Sequence, residues 1–182
     1  KEVEDLLREI ERLLKESRER TKKVEEDVKR LLDESRKTSE DVLREVERLI
    51  RELEKIVRED RDKDRLEELL RRLKETAKEL LRKVEELSRR LKETVDKLLR
   101  DLEEDSKKLL EDVKELLDRI PPDDKARKLV EEAKRRLDTV NEENKDVVRK
   151  IKEDLERVDE ENRDVLRRIK RIVERVEEEV RR

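Results

Sequence analysis

Apolar residues recur along this chain with a mean spacing of 3.6 residues, in three stripes of equal span. The first runs from Val3 through Leu7, Ile10 and Leu14 to Val57, the second from Leu66 to Ile120, and the third from Ala126 to Val180, each in 15 steps across 54 residues. That is the period of an α-helix with one apolar face, and a helix with a single apolar face must bury it against partners. Leu6, Leu13, Leu43, Leu69, Leu99, Leu110, Val147, Val165 and Ile172 widen the stripes at their edges.

The pattern also repeats. Leu13–Arg30 aligns with Leu31–Arg48, Leu73–Arg90 with Leu91–Lys108, and Val140–Lys152 with Val158–Lys170, each shifted by 18 residues. At about 100° per residue, 18 residues complete about five turns, so equivalent side chains return to the same face. A seven-residue repeat would drift by about 20° per repeat and impose a left-handed supercoil. The 18-residue period predicts straight helices.

Two breaks interrupt the stripes. Across Glu59–Lys63 the pattern lapses, and Asp64 followed by Glu67 reads as a capping box, with Asp62 an equally good cap. At Ile120-Pro121-Pro122-Asp123 the prolines stop one helix and Asp123 is placed to cap the next. With no glycine anywhere, neither helix end has the usual left-handed cap, so both should close by tight turns. The expectation is an all-α, single-domain chain: an elongated up-down-up antiparallel bundle with helices at about 2–59, 64–120 and 123–181. Each helix would be roughly 85 Å long.

Polar residues stand on the seam where leucine would be expected. Ser17, Thr21, Ser35 and Ser39 do so in the first helix, Ser88 and Ser106 in the second, Asn144 and Asn162 in the third. Every one of them has an equivalent 18 residues away. In an antiparallel pair turning near residue 61.5, facing residues sum to about 123, as Ser17 with Ser106 and Ser35 with Ser88 both do. A second turn near 121.5 sets Asn141 level with Thr21, and Asn144 one turn above leans back toward it. Two layers follow: Ser17, Thr21, Ser106, Asn144, and Ser35, Ser39, Ser88, Asn162. An unpaired buried polar group costs about 1–3 kcal/mol, so eight of them require partners. Serine and threonine could instead bond the carbonyl four residues back. Matched layers on all three helices favour a cross-helix network that sets helix register. Asn141, Thr38 and Thr139, whose equivalents are Asp159, Arg20 and Arg157, lack a repeated polar partner on the seam and belong at the rim.

Composition narrows the function. Charged residues make up 61% of the chain, yet 54 basic and 57 acidic residues nearly cancel, and no third is net basic enough for a phosphate-binding surface. The chain has no Cys, His, Met, Phe, Tyr, Trp or Gly, and uses twelve residue types in all. Serine nucleophiles therefore lack a histidine base, and a di-iron bundle would lack its Glu-x-x-His ligands. Carboxylate pairs such as Glu25–Glu26 and Glu177–Glu179 read as solvated faces, and Asp105, at the seam's edge, as the nearest to a buried acid. No apolar run approaches the ~20 residues of a membrane span, and no targeting pattern opens the chain, so its location is unassigned. No catalytic, cofactor-binding or metal-binding residue is expected.

The near-repeated 18-residue blocks, the reduced alphabet, the Lys/Arg/Glu surface and the short Pro-Pro-Asp-Asp connection together resemble de novo designed helical bundles. The likeness is to parametrically generated, straight three-helix bundles carrying hydrogen-bond networks, and it spans the whole chain. It implies a highly stable scaffold with no natural substrate, no enzyme activity, no cofactor and no required partner. A monomer that binds neither nucleic acid nor membrane is expected. The alternative is a helical interaction module or homo-oligomer subunit whose polar layers specify a partner.

Overall fold

The computed structural model describes residues 2–59 and 62–181, apart from the side chain of Val180, the end of the third stripe. Asp60 and Arg61, within the first break, lie outside the described residues. The chain forms three long helices: α1 (Glu2–Glu59), α2 (Lys63–Asp118) and α3 (Asp124–Arg181). They pack together as a three-helix bundle, and no strand occurs among the described residues.

Local chemistry sets the helix ends. The Asp62 carboxylate accepts a hydrogen bond from the Asp64 backbone N–H, and the Asp62 carbonyl accepts from Leu66 N–H, so Asp62 caps α2. The capping box expected from Asp64 and Glu67 does not form, because Asp64 already lies inside the first turn. There its charge complements the helix's positive end. At the other end of α2, Arg119 and Ile120 leave the α-helix through N–H bonds to the Leu116 and Leu117 carbonyls. Tightening to three-residue spacing satisfies these orphan carbonyls without a left-handed residue, and no described residue has positive φ. The Asp123 carbonyl accepts the first bond of α3, from Arg127 N–H.

By its packing the chain divides into two compact units, each with a stretch of all three helices: Lys1–Arg30 with Thr94–Asp154, and Leu31–Glu93 with Leu155–Arg182. In the first, Ile10 and Leu14 of α1 pack with Leu109, Val113 and Leu117 of α2 and with Ala133, Leu137 and Val140 of α3. In the second, Val42, Val46, Ile50 and Leu53 pack with Leu66, Leu70, Leu73 and Val84 and with Ile169 and Val176. No described member of the three stripes is exposed. Each fully buried Val, Leu or Ile contributes about 1.5–3 kcal/mol of gross hydrophobic stabilisation, which is what holds helices this rich in charge together.

One detail of the stripes differs from the sequence pattern. In α2, Leu99 and Leu117 are buried more deeply than their stripe neighbours Leu98 and Leu116. Where two adjacent leucines straddle the apolar face, a small rotation about the helix axis decides which points inward, and mean spacing does not define that rotation.

Candidate functional site: two buried polar layers

The eight seam residues come together as two networks, one in each unit. In the first unit Asn144, only 3% exposed, is the hub. Thr21 Oγ1 donates to Asn144 Oδ1 at 2.7 Å, and Asn144 Nδ2 donates to Ser17 Oγ and to Ser106 Oγ, both at 3.2 Å. In the second unit Ser39 Oγ donates to Asn162 Oδ1 at 2.6 Å, and Asn162 Nδ2 donates to Ser35 Oγ and Ser88 Oγ, both at 3.1 Å. Each asparagine thus uses both amide protons and its carbonyl oxygen, and ties its own helix to α1 twice and to α2 once.

The geometry follows from side-chain direction. Helical side chains lean toward the N-terminus, so an asparagine one turn above a threonine on a parallel helix can reach back to it. Asparagine suits the hub because one planar group offers two donors and an acceptor, matched here to three hydroxyls that can each rotate to donate or accept. Among the described residues, no buried side-chain nitrogen or oxygen lacks a partner. Threonines that bond their own helix do exist, but at the rim: Thr38 Oγ1 donates to the Glu34 carbonyl and Thr139 Oγ1 to the Arg135 carbonyl. Asn141, half-buried, makes no hydrogen bond. Half-buried Asp105 makes neither a hydrogen bond nor an ion pair, so it does not join the first network.

No known protein family matches the chain, and no curated protein does. The chain is similar to a designed protein. A solved structure described as a computationally designed three-helix bundle superposes with a TM-score of 0.51 at 25% identity, over 99% of this chain and 86% of that one. This likeness and the two hydrogen-bonded layers make the chain a design-like three-helix bundle.

Each layer also carries a charged rim that the spacing of apolar residues does not single out. Arg18 pairs with Glu143 at 3.5 Å beside the first hub, and Arg36 with Glu161 at 3.0 Å beside the second. Both pairs link α1 to α3 and are related by the 18-residue shift, so the repeat held the signal. Such exposed pairs contribute about 0.2–1 kcal/mol each. Farther out, Arg12 with Glu9 and Glu16, and Arg48 with Glu45 and Glu52, form like trios along α1. The arginine hydrogen bonds hold the Glu9 and Glu45 carboxyls below the ordinary carboxylate range.

Glu177 corrects the expectation of a wholly solvated Glu177–Glu179 face. Its side chain is 22% exposed and accepts a hydrogen bond from Lys74 Nζ across α2 and α3, with Arg181 also bonded to it. The Lys74 hydrogen bond pulls its pKa below the ordinary glutamate value, against the opposing effect of desolvation. A depressed carboxyl pKa stabilises the fold above the unfolded-state value of about 4.3, and the contribution disappears as pH falls through the lower folded value. Glu177→Gln is therefore expected to lower the urea midpoint at pH 7 and to match the parent near pH 2. Equal midpoints at pH 7 would show that the pair contributes nothing.

Among the described residues, no group of three or more His, Cys, Asp or Glu side chains is placed to hold a metal ion. Nor is any helix long and apolar enough to cross a membrane.

Proposed function

We propose that this chain is a designed structural scaffold with no natural biochemical activity, in which the two polar layers set the register of the helices. The observation that carries this reading is the hub arrangement. Each asparagine is matched to three hydroxyls on two other helices, so sliding any helix by one turn separates donors from acceptors and leaves buried polar groups unpaired. Apolar packing alone discriminates slides weakly, since one Leu or Val layer resembles the next. Polar groups placed this way convert a slide into a cost of about 1–3 kcal/mol for each stranded group.

The scaffold reading also takes the chain to be a monomer, since its apolar stripes are consumed within the bundle. Leu87 and Leu129 are the large hydrophobics exposed among the described residues, too few for a stable interface. Sedimentation equilibrium at micromolar concentration is expected to return a mass near 22.3 kDa. A mass of twice that or more would favour a homo-oligomer whose layers select a partner.

A further inference from the structure

Beside the first layer, a groove of about 610 Å³ opens between α2 and α3 of the first unit. Leu110 and Val148, both half-buried, form its apolar walls, and Ser106 and Asn144 bring the polar layer to its floor. Four cations, Lys107, Lys145, Arg149 and Lys152, and one carboxylate, Glu103, line it, with Glu142 and Asp146 just beyond the rim beside Lys145 and Arg149. None of the four is held by a hydrogen-bonded ion pair. Lys145 lies 3.9 Å from Glu142, Arg149 3.4 Å from Asp146 and Lys152 3.6 Å from Glu103, while Lys107 has no ion pair. Ser106 Oγ accepts from Asn144 and has no protein acceptor for its own proton, so it offers a spare donor at the floor.

We propose that this groove binds small amphipathic anions, with an apolar body against Leu110 and Val148 and a carboxylate or sulfonate held by Lys107, Arg149 and the Ser106 hydroxyl. The volume suits a ligand of two or three rings, within the common range of about 300–1,000 Å³ for small-molecule sites. An unpaired Lys107, with three further cations held only by long ion pairs, favours an anion over a neutral body of the same shape beside the apolar wall, and the preference weakens as salt rises. The repeat supplies an internal comparison. One period on, beside Ser88 and Asn162, Lys92 stands where Leu110 does here, so an apolar body loses a wall there. Binding should therefore reach one ligand per chain.

Fluorescence titration with 8-anilinonaphthalene-1-sulfonate, alongside uncharged N-phenyl-1-naphthylamine, tests the proposal on the intact chain. The sulfonate should bind saturably at one site per chain, roughly tenfold tighter than the neutral probe. Lys107→Glu combined with Arg149→Glu should weaken the sulfonate by roughly tenfold or more, as should Leu110→Lys alone. Cooperative circular dichroism melts would show that the variants fold, including the one at Leu110, which packs at the edge of the first unit's core. Non-saturable binding, equal affinity for the neutral probe, or charge-reversed variants that bind like the parent would each overturn the proposal.

Discussion

Asn144→Leu is expected to lower the free energy of unfolding by about 2–4 kcal/mol, although it places a larger apolar side chain in a buried position. Asn144 is the sole partner of the Thr21 hydroxyl and supplies the bonds to Ser17 and Ser106. Thr21 and Ser17 are 5% and 4% exposed, so water cannot readily replace what is lost, whereas half-buried Ser106 can turn to the groove. Adding Thr21→Val to Asn144→Leu should recover part of the loss, because it removes a stranded hydroxyl rather than a bond. That gain on a second core substitution is opposite to simple additivity and is read from urea unfolding of the two singles and the double.

Asn144→Asp probes the same hub with charge. The three hydroxyls can rotate to donate to the carboxylate, but no cation lies in the layer, so desolvation should raise the new group's pKa above the unfolded value of about 3.9. The deficit should be full above the raised folded pKa and shrink as pH falls toward the unfolded value. For Asn144→Leu the deficit should not change with pH.

Replacing all eight layer residues with Leu, Val or Ala is expected to leave the unfolding free energy unchanged or higher, by up to about 4 kcal/mol, because each buried hydrogen bond largely offsets its own desolvation. Definition of the folded state should be lost. Sedimentation velocity should show mixed association states, and amide NMR spectra should show more peaks than residues as slipped registers coexist. A single sharp monomeric species would mean that the apolar stripes alone select the register. The layers have a limit that follows from their repetition. A slide of one helix by a full 18-residue period would keep one asparagine against a set of three hydroxyls and strand the other asparagine and its three hydroxyls, so polar matching opposes it only in part. Losing about five turns of apolar contact opposes it as well.

The stripes and layers are legible in the amino-acid sequence because both repeat with a whole number of turns, which makes face and register readable by counting. Ser17, Thr21, Ser106 and Asn144 fall into one layer that way, and so do their equivalents. What counting misses depends on quantities that spacing does not carry. Choosing Asp62 over Asp64 as the α2 cap requires the point where the chain turns into the helix, a matter of one residue. Choosing Leu99 over Leu98 requires the helix's rotation about its own axis. The Lys74–Glu177 bond is not marked by repetition: Lys92 and Asp159 at the shifted positions keep the two charges, but the shorter Asp159 side chain pairs with Arg163 on its own helix. Leu110, an apolar wall of the groove beside Ser106, likewise has Lys92 at its shifted position, so the repeat does not mark that wall.

Asn144 and Asn162 are hydrogen-bonded hubs inside the bundle, and side-chain amide hydrogen exchange by NMR is the sharpest test of that arrangement. The chain contains three asparagines and no glutamine, so its spectrum holds three side-chain amide pairs, with Asn141 as the internal reference. The Asn144 and Asn162 Nδ2 protons are expected to exchange at least on the order of a hundredfold more slowly than those of Asn141, because they are released only when the helices separate. If all three asparagines exchange at the rate of Asn141, the layers are not buried networks and the assignment of register to them is wrong.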